Sequence, residues 1–304
     1  MFNNIKNRTI DFVGNKKAYF AVPAVLLVLT LISLIFFGLK VDIQFKGGSM
    51  ITYSYESSTN LNDVKSAIEN KIGNIILQES NDAVSGMNKI VVSSTVNIST
   101  EQLSELNELL EKDFSVKYVE SSTVDPTIGT EFLLKSLLAV AIAAVIIVVY
   151  IGFRFKNIGG WSAGSMAIVA LVQDLFVVFA SFVILRFPLD MNFIAVILTI
   201  LGYSVNDTIV IYDRIRENTK RFGKTKSIRE IVNLSANECF TRSVRTTTTT
   251  VISMIVVSVV AVIFNVTSIL TFSIPMVFGM ISGAFSSLCI TLPLWVMWKE
   301  RKTK

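Results

Sequence analysis

The chain contains no histidine, and this absence excludes more chemistry than any motif supplies. Without an imidazole there is no Ser-His-Asp or Cys-His nucleophile pair, no histidine-dependent intramembrane serine protease and no His-based metal centre. Cysteine is almost missing as well. Cys239 stands beside a basic segment and Cys289 inside an apolar one, so neither a disulfide nor a cluster site is expected, and both read as packing residues. Within residues 39–131 no Gly-rich phosphate loop occurs and no carboxylates converge at catalytic spacing; Gly47-Gly48 reads as a turn or bulge beside the membrane rather than a ligand cradle. Arginine is absent from residues 39–131, which carry seven lysines against fourteen Asp+Glu, a net charge of −7. The expectation is a protein that is not an enzyme and holds no cofactor or metal.

What the chain has in quantity is apolar length. Of its 304 residues 52% are apolar, gathered in six blocks at 18–38, 132–153, 162–185, 191–212, 246–264 and 272–298. Each is close to the roughly 20 residues that span the hydrocarbon of a bilayer. The first is too long, and too poor in a small-residue cleavage site, for a signal peptide; it reads as an uncleaved first span. Lys and Arg collect on one side. Residues 1–17, 154–161, 213–245 and the tail 299–304 hold 19 of the 28, which places both termini in the cytoplasm. The overall +5 is then a topology signal, with some attraction to anionic lipid, and predicts no nucleic-acid partner. Segment 213–245 is expected as a basic cytoplasmic loop. Residues 1–17 and 226–242 (with Ile228, Ile231, Val232, Ser235 and Phe240) read as amphipathic stretches able to lie in the interface, with a solvated loop as the rival for each.

Segment 39–131 is the one sizeable soluble piece. VDIQFKGGSMITYSY reads as extended, and LNDVKSAIENKIG is a helix striped by Leu61, Val64, Ile68 and Ile72. NIILQE and KIVVSSTV read as strands about a polar turn, NDAVSGMN. STEQLSELNELLEKDF is a helix capped by Ser99 or Thr100 and striped by Leu103, Leu106 and Leu110. VKYVESSTV closes as a strand. The order βαββαβ is the ferredoxin-like plan, so the expected fold class is a membrane protein of six transmembrane α-helices with one extracytoplasmic α+β domain.

The spans carry groups that a bilayer resists. Asp174 lies mid-way along the third, Asp207 beside Asn206 in the fourth, and Arg242 where the chain re-enters for the fifth. A central carboxylate costs about 2.5–3.5 kcal/mol on insertion scales, and such residues usually face the bundle interior and pair or move protons. Thr199, Tyr203 and Asp207 recur every four residues, as do Arg242, Thr246 and Thr250, with Ser253 following, so two polar strips are expected to face each other. A static Asp207–Arg242 ion pair that only fixes helix register is the rival to a proton site. Asp174 has no cation in its own span and needs a partner on another helix or a protonated carboxyl. The Thr246–Thr250 run has its own rival reading, in which each hydroxyl bonds back to its helix. Gly160-xxx-Gly164 and Gly279-xxx-Gly283, continuing to Ser287, mark close helix approach, while Pro275 and Pro293 are expected to bend the sixth span.

In order, IDFVGNKKAYF, GLKVDIQFKGGSM, DPTIG, GYSVNDTIVIYDRIREN and FTRSVRTTTTT resemble the SecF family, within the SecD/SecF group of resistance-nodulation-division-type membrane proteins. The resemblance covers essentially the whole chain. It implies a subunit of the Sec export machinery in the cytoplasmic (inner) membrane that works with SecD, uses the proton motive force and assists preproteins after the SecYEG channel and SecA. A YajC-like subunit is a further implied partner, and the extracytoplasmic domain would meet the preprotein or SecD. By motif, proton coupling falls on Asp207 with its neighbour Asn206, and on Arg242, with Arg245, Thr246 and Tyr203 as secondary candidates. Asp174 falls in a third-span motif where a histidine commonly precedes the aspartate; here Gln173 stands in that place, and glutamine cannot titrate. A transporter of this superfamily needs about twice this length, so a partner of like architecture is implied. The alternatives are half of a proton-coupled solute or lipid exporter, or a non-conducting scaffold of a translocase.

Overall fold

The computed structural model describes residues 10–14, 16–56, 59–82, 87–264 and 266–303. Most of the expected amphipathic stretch 1–17, and the tip 83–86 of the polar turn, lie outside the described residues. The first helix, α1, runs Lys16–Phe37, and its apolar side chains are largely exposed. It ends at Gly38, and Arg186 donates to the carbonyls of Phe37 and Gly38 at 2.6 and 3.0 Å, capping the orphan oxygens of the last turn. The stretch expected as extended first makes a single helical turn, α2 (Ile43–Lys46), because the Asp42 carboxylate accepts from the Gln44 amide and so caps it.

The sheet follows: β1 (Gly48–Tyr55), helix α3 (Leu61–Ile72), β2 (Ile75–Asp82), β3 (Met87–Ser94), helix α4 (Thr100–Phe114) and β4 (Lys117–Val124). Strand order is β2-β3-β1-β4 and every neighbouring pair is antiparallel, the ferredoxin-like arrangement. The two helices cover one face. Val64 and Ile68 from α3, with Leu106 and Leu110 from α4, are fully buried against Ile51, Tyr53, Ile90 and Val92. Ser99 and Gln102 form a reciprocal capping box, as the cap residue predicts. The buried Tyr53 hydroxyl donates to Asn107 Oδ1 at 2.9 Å, and burial pushes its phenol well above the usual range. Gly47 and Gly48 hold positive φ of 78° and 127°; a side chain at the first would strike Pro126 and at the second the Ser94 carbonyl. The two glycines are needed where the chain leaving α1 crosses the chain entering the next span.

That span is α5 (Pro126–Arg154), which begins earlier than expected because Asp125 caps it and Pro126 occupies its first position. Next come α6 (Gly160–Ile184), α7 (Met191–Phe222), α8 (Ile228–Ile263) and α9 (Thr267–Ser286). One π turn, Ser287–Thr291, joins α9 to α10 (Leu292–Thr303). It stands directly before Pro293, whose ring lacks the N–H that an unbroken α-helix would use there. Six helices are long and apolar enough to cross a membrane, so the molecule is a multi-pass membrane protein carrying one α+β domain. The small-residue positions do bring backbones together: Gly160 lies on the Gly152 carbonyl, Gly279 on Ile200 and Val178, Gly283 on Ser204.

One expectation is overturned. Residues 213–245 are not a loop: α7 continues to Phe222, α8 already starts at Ile228, and 223–227 alone connect them. The extensions pack on each other. Ile215, Ile231, Val232 and Ala236 are buried, and Arg214 pairs with Glu217 and with Glu238 at 2.5 and 2.6 Å. Asn218 donates to Ser235 and Glu238, and a Ser227–Glu230 capping box opens α8. The apolar residues of 226–242 therefore lie against protein rather than lipid. They also receive the segment before α1. Asn237 exchanges two hydrogen bonds with the backbone of Ile10, and Asn233 bonds the Val13 amide and the Asp11 carboxylate. Phe12 and Val13 are buried beneath.

The paired variant Asn233→Ala/Asn237→Ala removes these four bonds. It should loosen residues 10–14 by about 1–3 kcal/mol, read as faster amide hydrogen exchange confined to that strap. The strap is also acid-sensitive. The Gly14 amide, then Asn233, hold the Asp11 carboxyl below the ordinary aspartate range. Its contribution is therefore present above that range and disappears as pH falls through the depressed value. Strap exchange that does not quicken in acid would contradict this account.

Candidate functional site

Two buried carboxylates meet α7 about one helical turn apart: Asp207 is part of it, and Asp174 of α6 is bonded to its Ser204. Asp207 belongs to α7 itself and is 7% exposed. Its Oδ2 accepts a 2.7 Å hydrogen bond from Ser243 Oγ of α8. Arg242, the preceding residue on α8, is exposed and makes no ion-pair contact with Asp207, yet it is the charge whose field reaches the carboxylate. Arg245, three residues further along α8, is exposed too. A tight ion pair that locks helix register is not what these residues form. With the guanidinium not in contact, Ser243 is the one direct side-chain donor to this carboxylate among the described residues.

The two strips do face each other, but the α8 strip is offset from the expected one. Tyr203 OH lies 2.9 Å from Thr250 Oγ1 and donates to Thr247 Oγ1 at 3.3 Å. Ser243, Thr247 and Thr250 thus line the seam. Thr246 is exposed and donates to the Arg242 carbonyl of its own helix; Thr199 does the same to Ala195 and Ser253 to Thr249. Asn206 is exposed and shares no hydrogen bond with either aspartate among the described residues.

Asp174, on α6, is fully buried. Three serines converge on it from two helices: Ser204 of α7 donates to Oδ2 at 2.5 Å, Ser286 of α9 to the same oxygen at 2.8 Å, and Ser282 of α9 to Oδ1 at 2.6 Å. The partner that Asp174 requires is therefore a nest of hydroxyls, and no cation reaches it among the described residues. Serine hydroxyls donate and accept, so the nest satisfies the carboxyl whether or not it carries a proton. Further hydroxyls continue from it. Ser287, first residue of the π turn, lies 2.9 Å from Thr208 Oγ1 and donates to the Ser204 carbonyl. Thr291 Oγ1 and Gln173 Oε1 are shielded and have no hydrogen-bond partner among the described residues. Ser204, Ser243, Ser282 and Ser286 carry no signal in the linear sequence except the i, i+4 spacing of the last two. Among the described residues no group of three or more His, Cys, Asp or Glu is placed to hold a metal ion.

Both carboxylates fall inside residues 104–301, which match the family described as "Protein export membrane protein SecD/SecF, C-terminal". The chain belongs to the SecD/SecF family. It is 32% identical over 300 residues to the protein translocase subunit SecF of Alicyclobacillus acidocaldarius, covering 97% of this chain and 94% of that one. It is 34% identical over 297 residues to the protein translocase subunit SecDF of Bacillus subtilis, where 97% of this chain spans only 39% of the relative. Among solved structures, the crystal structure of SecDF from Thermus thermophilus superposes with a TM-score of 0.81 at 27% identity, over 97% of this chain and 39% of that one. A SecDF crystal structure in the super-membrane-facing form gives 0.66, also at 27% identity, over 98% and 40%. The SecD/SecF match takes in most of α4, all of β4 and of α5 to α9, and most of α10, so the seam and the serine nest both lie in the part that defines the family.

Proposed function

We propose that this chain is the SecF-type subunit of a Sec export apparatus in the cytoplasmic membrane, with both termini in the cytoplasm and residues 39–131 outside. It is a non-enzymatic subunit that acts with SecD, its partner of like architecture, and uses the proton motive force to help preproteins complete passage. SecYEG is the channel it serves, with SecA and a YajC-like subunit as further neighbours. The observation that carries this reading is the buried Asp207 with one hydroxyl donor and a detached Arg242 on the facing helix, in a chain of this family. Relatives named as protein translocase subunits favour export over solute efflux.

The proposed cycle uses the seam. With Asp207 ionised, Ser243 donates to it and Arg242 is drawn towards it. When a proton arrives, that attraction vanishes and α8 is released from α7. Each charge crossing 100 mV supplies about 2.3 kcal/mol, enough to bias two helix packings that differ by that much. Asp174 is the second proton-binding carboxyl in this scheme, holding α6, α7 and α9 together through its serines. The test is preprotein transport into inverted membrane vesicles in which SecA and ATP are kept saturating. With the chain and its SecD partner present, collapsing the proton gradient with a protonophore should slow completion of transport; without them the protonophore should make no difference beyond its effect on SecA-driven steps. Equal sensitivity in both vesicles would overturn the proposal.

A further inference from the structure

A cavity of about 300 Å³ opens between the open face of the sheet and the chain leaving α1. Leu39, Val41, Met50, Ile76 and Pro188 make up the apolar part of its lining. Lys40 and Lys46 line it as well, together with Asn74, Ser93, Ser94 and Thr95. In a domain segment of net charge −7 with only seven lysines, two at one cleft are notable for their partners. Lys65 and Lys71 are paired with Glu69 and Glu105, whereas among the described residues Lys40 and Lys46, like Lys112 and Lys117, reach no carboxylate, and of these only Lys40 and Lys46 share a cleft. Asp42 also lines the cleft, but its carboxylate is turned to the Gln44 amide as a helix cap. Height fixes the setting. Leu39 and Lys40 directly follow the end of α1, and Pro188 sits in the turn between α6 and α7, so the cleft opens at the level where two spans leave the membrane. Below it Ile35, Phe36 and Phe37 of α1 are exposed.

We infer that this cleft binds one anionic phospholipid, its phosphodiester between Lys40 and Lys46 and its glycerol and upper acyl carbons on the apolar lining, with the tails running down α1. Two unpaired ammonium groups match an anionic headgroup. The apolar lining continuing into an exposed helix face matches a lipid rather than a free anion. Bound there, the lipid ties the first span to the base of the external domain.

The test titrates short-chain phosphatidylglycerol, the phosphatidylcholine of equal chain length, glycerol phosphate and inorganic phosphate onto the purified full chain in micelles, with occupancy counted by native mass spectrometry. Phosphatidylglycerol should bind in preference to the other three. Each of Lys40→Gln and Lys46→Gln should weaken it about fivefold, and the double variant about 25-fold, the effect of losing one and two interfacial cations. Lys112→Gln/Lys117→Gln removes the same charge from exposed sites outside the cleft and should leave binding unchanged. A 40/46 variant that binds like the parent, a 112/117 variant that loses as much, or phosphate binding as tightly as the lipid would each overturn the inference. So would an unfolded polypeptide that displaces phosphatidylglycerol and binds equally well without the lysines.

Discussion

Asp207→Asn should abolish proton conduction through the SecD-bound chain, down to the level of protein-free vesicles, while leaving the folded protein in the membrane. Asparagine keeps the size of the side chain and an oxygen that still accepts from Ser243, so the α7–α8 contact survives. Its stability should change by no more than about 1 kcal/mol. What it loses is the ability to take up and release a proton, and the charge on which Arg242 acts. Arg242→Ala should fall in the same class, because it removes the guanidinium next to Ser243, the residue that donates to Asp207. Arg245→Ala should conduct like the parent. The measurement is proton uptake into proteoliposomes under an imposed potential, normalised to protein recovered in the bilayer. A conducting Asp207→Asn would remove the site from the mechanism and leave the scaffold reading in its place. Conduction lost in Arg245→Ala and retained in Arg242→Ala would exchange the roles of the two arginines.

How much of this was legible in the residues differs from element to element, for physical reasons. The spans were readable from apolar length alone, and the βαββαβ domain because burial leaves a period: Val64 and Ile68, or Leu106 and Leu110, repeat at helical spacing and are the residues found at zero exposure. The face of α8 was not. From Arg242 to Thr250 nearly every position is polar, so several phases fit a polar strip equally well, and the one that faces α7 runs through Ser243, Thr247 and Thr250. The serines around Asp174 were invisible for a related reason. A hydroxyl in a helix can always donate to the carbonyl of the preceding turn, as Thr246 and Ser253 do, so its presence does not say whether it has a tertiary partner. The helical extensions of α7 and α8 were mistaken for a basic loop because their stripe is short and their surface is densely charged. The charges are paired, Arg214 with Glu217 and Glu238, which is what lets two helices continue side by side beyond the apolar spans.

The nest around Asp174 gives the second large effect, and its two sides should fail differently. Asp174→Ala deletes the acceptor and leaves three hydroxyls behind. Ser286 has an alternative in the Gly283 carbonyl, to which it already donates at 3.2 Å. Ser204 and Ser282 make no such second bond among the described residues, and must rotate to reach the carbonyl of their own preceding turn. Interhelical hydrogen bonds inside membrane proteins are worth about 0.6 kcal/mol on average and up to about 1.7. Losing three of them together with the packing of the carboxyl should therefore cost about 2–5 kcal/mol, seen as a lower unfolding temperature in detergent. Asp174→Asn keeps two polar atoms in the nest and should cost less than half of that. The reverse deletion, Ser204→Ala/Ser282→Ala/Ser286→Ala, leaves a carboxyl in a dry site without a donor. Burying that charge unpaired is far more costly than burying its protonated form, so the group should simply keep its proton. The three interhelical bonds are lost here too, so the unfolding temperature should fall by a similar amount, while proton conduction at neutral pH is lost even in the protein that remains folded. If Asp174 were only a structural tie, the triple serine variant would destabilise the bundle and spare conduction in whatever protein remained folded.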